Sequence, residues 1–350
     1  VVTIQDKMEG ADTITFWWKL KNDTKWARKG DVVAYDQIIL KNVIKEKVRK
    51  KSENTENITQ RRNLSVVETE QEIKISGNHF LYKIKDGLIC SAQINGEELF
   101  LAPMRPNFSR AMTDNDIDTA HFVPAMLNSM PVKKWQMAEE KLRYVKHTIE
   151  QTEEKTKIRT YWRHPLCKAL VIEYLFGLDG EVEIRMAGIS KKIDFVRIGM
   201  TITMPDSFDE ISWYGRGPWE CYPDRKTAAL FDHYSMSVKE LEHKYMRPQE
   251  NGTRCDVKKL ELISKDRKRL SIINLNPGGM LFSAWHYSQR ALEDATHSHL
   301  LKKEWVTTLN VDGAMCGVGG DLPGMLSLHE KYRLRTGEKQ TAHFKLKFDE

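Results

Sequence analysis

Between Trp213 and Arg225 the chain reads WYGRGPWECYPDR, a span dense in groups able to grip a polyhydroxylated ligand. Trp213, Tyr214, Trp219 and Tyr222 each offer an apolar face with a polar tip, suited to stacking on the C–H side of a pyranose ring. Glu220, Asp224, Arg216 and Arg225 could hydrogen-bond its hydroxyls or pair with one another. As an acid/base pair, Glu220 and Asp224 would have to stand ~5 to 9 Å apart across a cleft. The plainer expectation is structural, with both carboxylates serving Arg225 and the backbone N–H groups of a tight turn. Gly215 and Gly217, just ahead of Pro218, are expected to use backbone angles closed to other residues and to let a second surface approach closely.

Two other segments carry similar groups. RPNFSRAMTDNDID holds Arg105, Arg110, Asp114, Asn115 and Asp116. Its Asp-Asn-Asp alternation resembles the start of a calcium loop, but the glycine and terminal glutamate of that spacing are missing. A charged loop ordered against arginine side chains is expected instead. RPQENGTRCDV sets Arg247, Glu250, Asn251 and Arg254 around an Asn-Gly turn and by itself indicates only a hairpin. His297 and His299 would share one face of a strand, yet no third ligand stands at a metal-site spacing. The cysteines Cys90, Cys167, Cys221, Cys255 and Cys316 are scattered, with no C-x-x-C pair, so free and mostly buried thiols are expected rather than a disulfide framework or a zinc site. No nucleophile elbow, phosphate loop or dinucleotide fingerprint occurs.

The elements that must position these groups read as strands. HFLYKIKDGLICSAQINGEELF alternates apolar residues and turns at Asp86-Gly87 and Asn95-Gly96, dipeptides that accept the positive φ of a tight hairpin. The pattern recurs around Asp179-Gly180 and in RLSIINL, MLFSAWHYS, WVTTLNVDG and AHFKLKF, so strands should dominate from residue 66 onward. Short helices are expected in SVKELEHKYMRP, where Ser237 and Glu240 have capping-box spacing and Pro248 closes the run, and near Ser288. Ile14 to Leu20 and Asp31 to Leu40 read as two strands, too few to stand alone. The fold class is therefore mainly β, one large antiparallel sandwich preceded by part of another.

Bulk composition agrees. At 350 residues, with 40% hydrophobic and 30% charged, the chain has the make-up of an ordinary globular protein. Its +6 charge lies almost wholly between Lys41 and Asn63, where eight basic residues face three acidic ones, which reads as a solvated linker and not as a nucleic-acid surface. No apolar run approaches the ~20 residues that span a bilayer. The opening VVTIQDKMEG lacks both a methionine and the succession of a signal peptide, so the sequence is expected to be part of something longer.

Taken in order, the three charged segments resemble the C-terminal region of the large bacterial β-galactosidases of glycoside hydrolase family 2. WYGRGPWECYPDR matches W-x-G-x-G-P-x-E-x-Y-x-D-R, RPNFSRAMTDNDI matches R-x-x-F-x-R-A-x-x-D-N-D-I, and RPQENGTRCDV matches P-x-E-N-G-x-R. VVAYDQIIL, THSHLL and LNVDGAMCGVGGD also fall in the expected order. The resemblance implies that residues 1–40 end an immunoglobulin-like β-sandwich, that 41–65 form the basic linker, and that 66–350 form the small-chain domain, a supersandwich like that of galactose mutarotase. It implies hydrolysis of terminal β-galactosides by two glutamates on a (β/α)₈ barrel upstream, with no catalytic residue in this chain. The domain seen here would shape substrate access and pack on that barrel.

The implied partners are a β-galactoside sugar, a catalytic barrel or large subunit, and further copies in a homo-oligomer, with neither nucleic acid nor membrane. The implied cofactors, magnesium and sodium, belong to domains outside this chain, and the compartment is the cytoplasm or periplasm of a bacterium. Arg110, Asp114, Asn115, Asp116, Trp213, Gly215, Gly217, Pro218, Glu220, Tyr222, Asp224, Arg225, Glu250, Asn251 and Arg254 are the residues expected to bind substrate or line a domain interface. The resemblance also implies a sugar-stacking tryptophan shortly after Gly319-Gly320-Asp321. Here the matching residue is Gly324, so the platform is lost or is supplied elsewhere, by Trp219 or Trp285, and Asp118 stands where a mobile loop would begin with glycine. Other readings of the sandwich are a free-standing carbohydrate-binding module and an aldose epimerase, the latter needing His286, His297 or His299 to face Glu220 or Asp224.

Overall fold

A computed structural model describes residues 12–40, 64–117, 124–321 and 328–349. The chain divides into two compact units, Val1–Gln60 and Arg61–Glu350. In the first, Thr13–Lys19 and Val32–Ile39 pair antiparallel, with Trp17 opposite Tyr35 and their rings 5.6 Å apart. Trp17, Trp18, Tyr35 and Ile38 stay exposed, so this pair buries little on its own. The basic stretch 41–63 lies outside the described residues.

The second unit is built from antiparallel sheets. The largest has nine strands in the order Leu230–Ser237, Phe208–Gly217, Lys259–Ser264, Arg269–Asn274, Lys339–Asp349, Val182–Ser190, Cys167–Gly177, Lys155–Arg163 and Arg143–Gln151. A five-stranded sheet runs Arg254–Val257, Met280–Trp285, Val306–Met315, Arg197–Pro205 and Ala102–Asn107, and a second runs from Ser65–Glu68 to Glu97–Glu98 in chain order. Strands of the large sheet bury alternate residues, such as Ile172, Tyr174 and Phe176, and their other face stays at least partly open to solvent. Met280–Trp285 is buried on both faces, as its nearly uninterrupted apolar run demands. No described helix is long and apolar enough to cross a membrane.

The hairpin dipeptides act as their chemistry requires. Asp86-Gly87 and Asn95-Gly96 take positive φ at both positions (48° and 75°, 50° and 84°), whereas at Asp179-Gly180 only the glycine does, at 73°. The helix expected up to Pro248 is a single turn, Val238–Leu241. Its capping box forms in full, but the next residues are claimed elsewhere: Arg254 Nη1 donates to the Leu241 carbonyl at 3.2 Å, and the His243 N–H donates to Asn251 Oδ1 at 3.1 Å. Ser288 caps Gln289–Asp294 as expected, its hydroxyl accepting from the Ala291 N–H. One helix, Pro131–Glu139, was not anticipated, although Pro at its start and Val132, Trp135 and Ala138 on one face were available as signals.

Candidate functional site

The strand Phe208–Gly217 delivers the first charged segment to the end of the large sheet. Trp213 is buried, its ring packed on Tyr234 and Phe282 at 5.2 and 5.5 Å, with the Arg254 guanidinium 5.5 Å from the ring centre. Neither Gly215 nor Gly217 adopts positive φ, which corrects the expectation of special backbone angles. Close approach is what they permit, and it is internal. A Cβ on Gly215 would lie 2.7 Å from Val257 Cα, and one on Gly217 would lie 2.8 Å from the Trp213 and Tyr234 rings. A cis Gly217–Pro218 bond opens the following turn, which closes through reciprocal backbone bonds between Tyr222 and Arg225 at 3.2 and 2.8 Å.

Both carboxylates of the turn are occupied. Glu220 accepts from the Arg225 guanidinium, the Tyr245 hydroxyl and, at 2.8 Å, the Gly252 N–H. Burial alone would raise its pKa, but these hydrogen bonds and the Arg225 charge outweigh burial and hold the carboxyl below its ordinary range. A group held ionised in this way is a poor proton donor. Asp224 accepts from the Val318 and Gly319 N–H groups at 3.0 and 2.8 Å.

The second segment grips the same stretch of backbone. Arg110 and Asp116 are fully buried and joined by two parallel bonds of 2.9 and 2.8 Å. Arg110 also donates to the Cys316 and Gly317 carbonyls at 3.4 and 3.1 Å, and Asn115 Nδ2 donates to the Val318 carbonyl at 2.8 Å. Residues 316–319 are thus clamped by Arg110, Asn115 and Asp224. A Cβ on Gly317 would fall 2.6 Å from Leu328 Cδ1 and 2.7 Å from Asp224 Cγ, so only glycine fits the clamp. Asp114 meets Arg247 at 2.8 Å and Gln249 at 3.1 Å. The DNDI stretch is one helical turn, Asp114–Ile117, its acids facing cations and amides. Among the described residues no group of three or more His, Cys, Asp or Glu is placed to hold a metal ion.

The third segment joins the other two through an ion cluster that the sequence did not reveal. Glu250 accepts from Arg197 Nη2 at 3.0 Å and from the Thr253 hydroxyl at 2.9 Å, and Arg197 Nε lies 3.2 Å from Asp312 Oδ2. The three side chains have essentially no exposed surface. Burial pushes the Asp312 carboxyl up to about 7, opposed by Arg197 and reinforced by the charge of Glu250. Arginine inside the apolar run FVRIGM was the available signal, since a buried guanidinium must find a carboxylate. Arg254 donates to the Gly252 and Pro218 carbonyls at 2.6 and 2.7 Å, while Asn251 secures its turn through the Gln249 carbonyl at 3.0 Å. Tyr222 is buried beside this cluster.

A cleft of about 550 Å³ opens nearby, bounded by Tyr245, Asn251, Trp285, His286, Asp209 and Glu242. Glu220 and Asp224 are not among its lining groups. His286 bonds Asp209 at 2.8 Å, and that carboxylate, not Glu220 or Asp224, is its partner. His297 precedes a short 3-10 turn, Ser298–Leu300, and His299 lies within it, so neither is on a strand. Trp285 is buried and donates to the Asn251 carbonyl, which removes it as a stacking platform, whereas Trp219 is 66% exposed. Asp118 and Gly324 lie outside the described residues.

The fold is thus a large antiparallel β-sandwich whose motif acids are tied to guanidinium and amide groups. The sequence model of the β-galactosidase small chain matches residues 74–348, and the chain belongs to that family. It is 31% identical over 340 residues to a β-galactosidase of Priestia megaterium, covering 95% of this chain and 31% of that relative, so it spans about a third of the relative's length. Among solved structures it is similar to a galactose mutarotase-like protein from Lactobacillus casei (9% identity, 82% of this chain and 100% of that one, TM-score 0.44). A putative aldose 1-epimerase from Escherichia coli is similar at 9% identity, 82% and 99% coverage and TM-score 0.44. Likeness this distant carries no conclusion about activity.

Proposed function

We propose that this chain is the C-terminal, noncatalytic portion of a β-galactosidase that hydrolyses terminal non-reducing β-D-galactose residues, and that it shapes substrate access and packs on the catalytic barrel. The observation that carries the proposal is the 31% identity to a β-galactosidase across 95% of the chain. The geometry supports it, because Glu220, Asp224, Glu250 and Asp116 all hold backbone or arginine in place. The clamp then holds residues 316–319 in place, with exposed Trp219 available as a sugar-stacking face. Magnesium or sodium, where the intact enzyme uses them, would be held by domains beyond this chain.

Complementation tests the proposal. A version of the intact β-galactosidase truncated before this region should be inactive alone and should regain hydrolysis of a chromogenic β-galactoside when this chain is added. Full activity of the truncated enzyme, with no response to the chain, would contradict the assigned role.

A further inference from the structure

Cys221 lies in the turn after Pro218 and Cys255 at the start of the strand Arg254–Val257, so one thiol comes from each of two charged segments. The Cys221 N–H donates to the Thr253 carbonyl at 2.8 Å, which holds the two segments side by side. The contact is then reciprocal. The Cys255 N–H donates to Cys221 Sγ at 3.1 Å, and the Cys255 thiol donates to the Cys221 carbonyl at 3.1 Å. Both side chains are buried, in a small apolar cluster with Tyr222, Ala229, Leu281 and Met315. Trp219 and Arg225, in the same turn as Cys221, are exposed.

We propose that Cys221 and Cys255 are a reversible disulfide site that ties the Trp213–Arg225 segment covalently to the strand after the Asn251-Gly252 turn. The hydrogen bond from Cys255 and the neighbouring Arg254 charge lower the Cys221 pKa against the effect of burial, while burial raises that of Cys255. Cys221 is the attacking group, since its sulfur already accepts the Cys255 N–H, a hydrogen bond that favours the thiolate. Its thiolate attacks one sulfur of a small-molecule disulfide, forming a mixed disulfide and expelling one thiolate. Cys255 then loses its proton and attacks Cys221 Sγ, forming the protein disulfide and expelling the second thiolate. Two cysteinyl thiols are oxidised by two electrons, and one disulfide oxidant is reduced to two thiols that take up the two protons.

The test treats the folded chain with oxidised glutathione, quenches, denatures in an alkylating agent and counts free thiols by intact mass. The expected result is a loss of two of the five thiols, without a glutathione adduct, and a peptide linking Cys221 to Cys255 that reductant dissolves. Cys90→Ser should still lose two thiols, whereas Cys221→Ser and Cys255→Ser should lose no pair. The oxidised protein should melt at higher temperature than the reduced one, since a cross-link restricts the unfolded chain. An unchanged thiol count, a stable adduct on one cysteine, or a link between other cysteines would each overturn the proposal. None of these outcomes bears on whether the chain serves a β-galactosidase.

Discussion

Asp312 shares a fully buried space with Glu250 and the guanidinium of Arg197, so two carboxylates compete for one cation. Its folded pKa of about 7 stands well above the ~3.9 of an unfolded aspartate. The folded state therefore holds a proton that the unfolded state gives up, and this group's contribution falls as pH rises from about 4 to about 7. Asp312→Asn removes that titration, so the variant should gain stability relative to the parent between pH 5 and pH 8. Parallel melting curves across that range would show it, and a pH-independent difference would contradict it. Arg110→Met leaves the Asp116 carboxylate buried without its guanidinium and should cost about 3–5 kcal/mol in denaturant titration. At this scale Arg110, Asp116 and Glu250 stand in short motifs, and Arg197 was flagged only by its apolar surroundings, but nothing local paired Arg197 with Asp312. They sit 115 positions apart in strands that become neighbours only on folding, where their side chains meet at 3.2 Å.

Among the elements, alternation and turn chemistry carried most of the information. Asn-Gly and Asp-Gly turns are legible because positive φ selects those residues locally. The segment after Ser237 was legible only at its start, because the capping box is local while the residues that end the helix, Asn251 and Arg254, arrive from a different hairpin. Gly215 shows the same division: its type is visible in the sequence, but the Val257 backbone it accommodates is not. Gly215→Ala should cost about 1–3 kcal/mol, since the clash is with backbone that cannot rotate away. Gly278→Ala, where no atom lies within 4 Å of the added methyl, should change stability by less than about 0.5 kcal/mol. Equal effects at the two positions would refute the packing argument.

For the whole molecule, the mainly antiparallel β class followed from the periodicity, while the order of nine strands in the large sheet did not, because Lys339–Asp349 enters its middle from the chain's end. The signature segments converge on a clamp for residues 316–319 and on buried ion pairs, which is the work of a scaffold. On the proposed reading, the groups that would hydrolyse a β-galactoside are carried by another part of the protein. Hydrolysis of a chromogenic β-galactoside by the purified 350-residue chain measures this most directly. No release above the uncatalysed background is expected at any concentration of the chain; turnover proportional to the amount of chain, and abolished by changing Glu220 or Asp224, would contradict the noncatalytic reading.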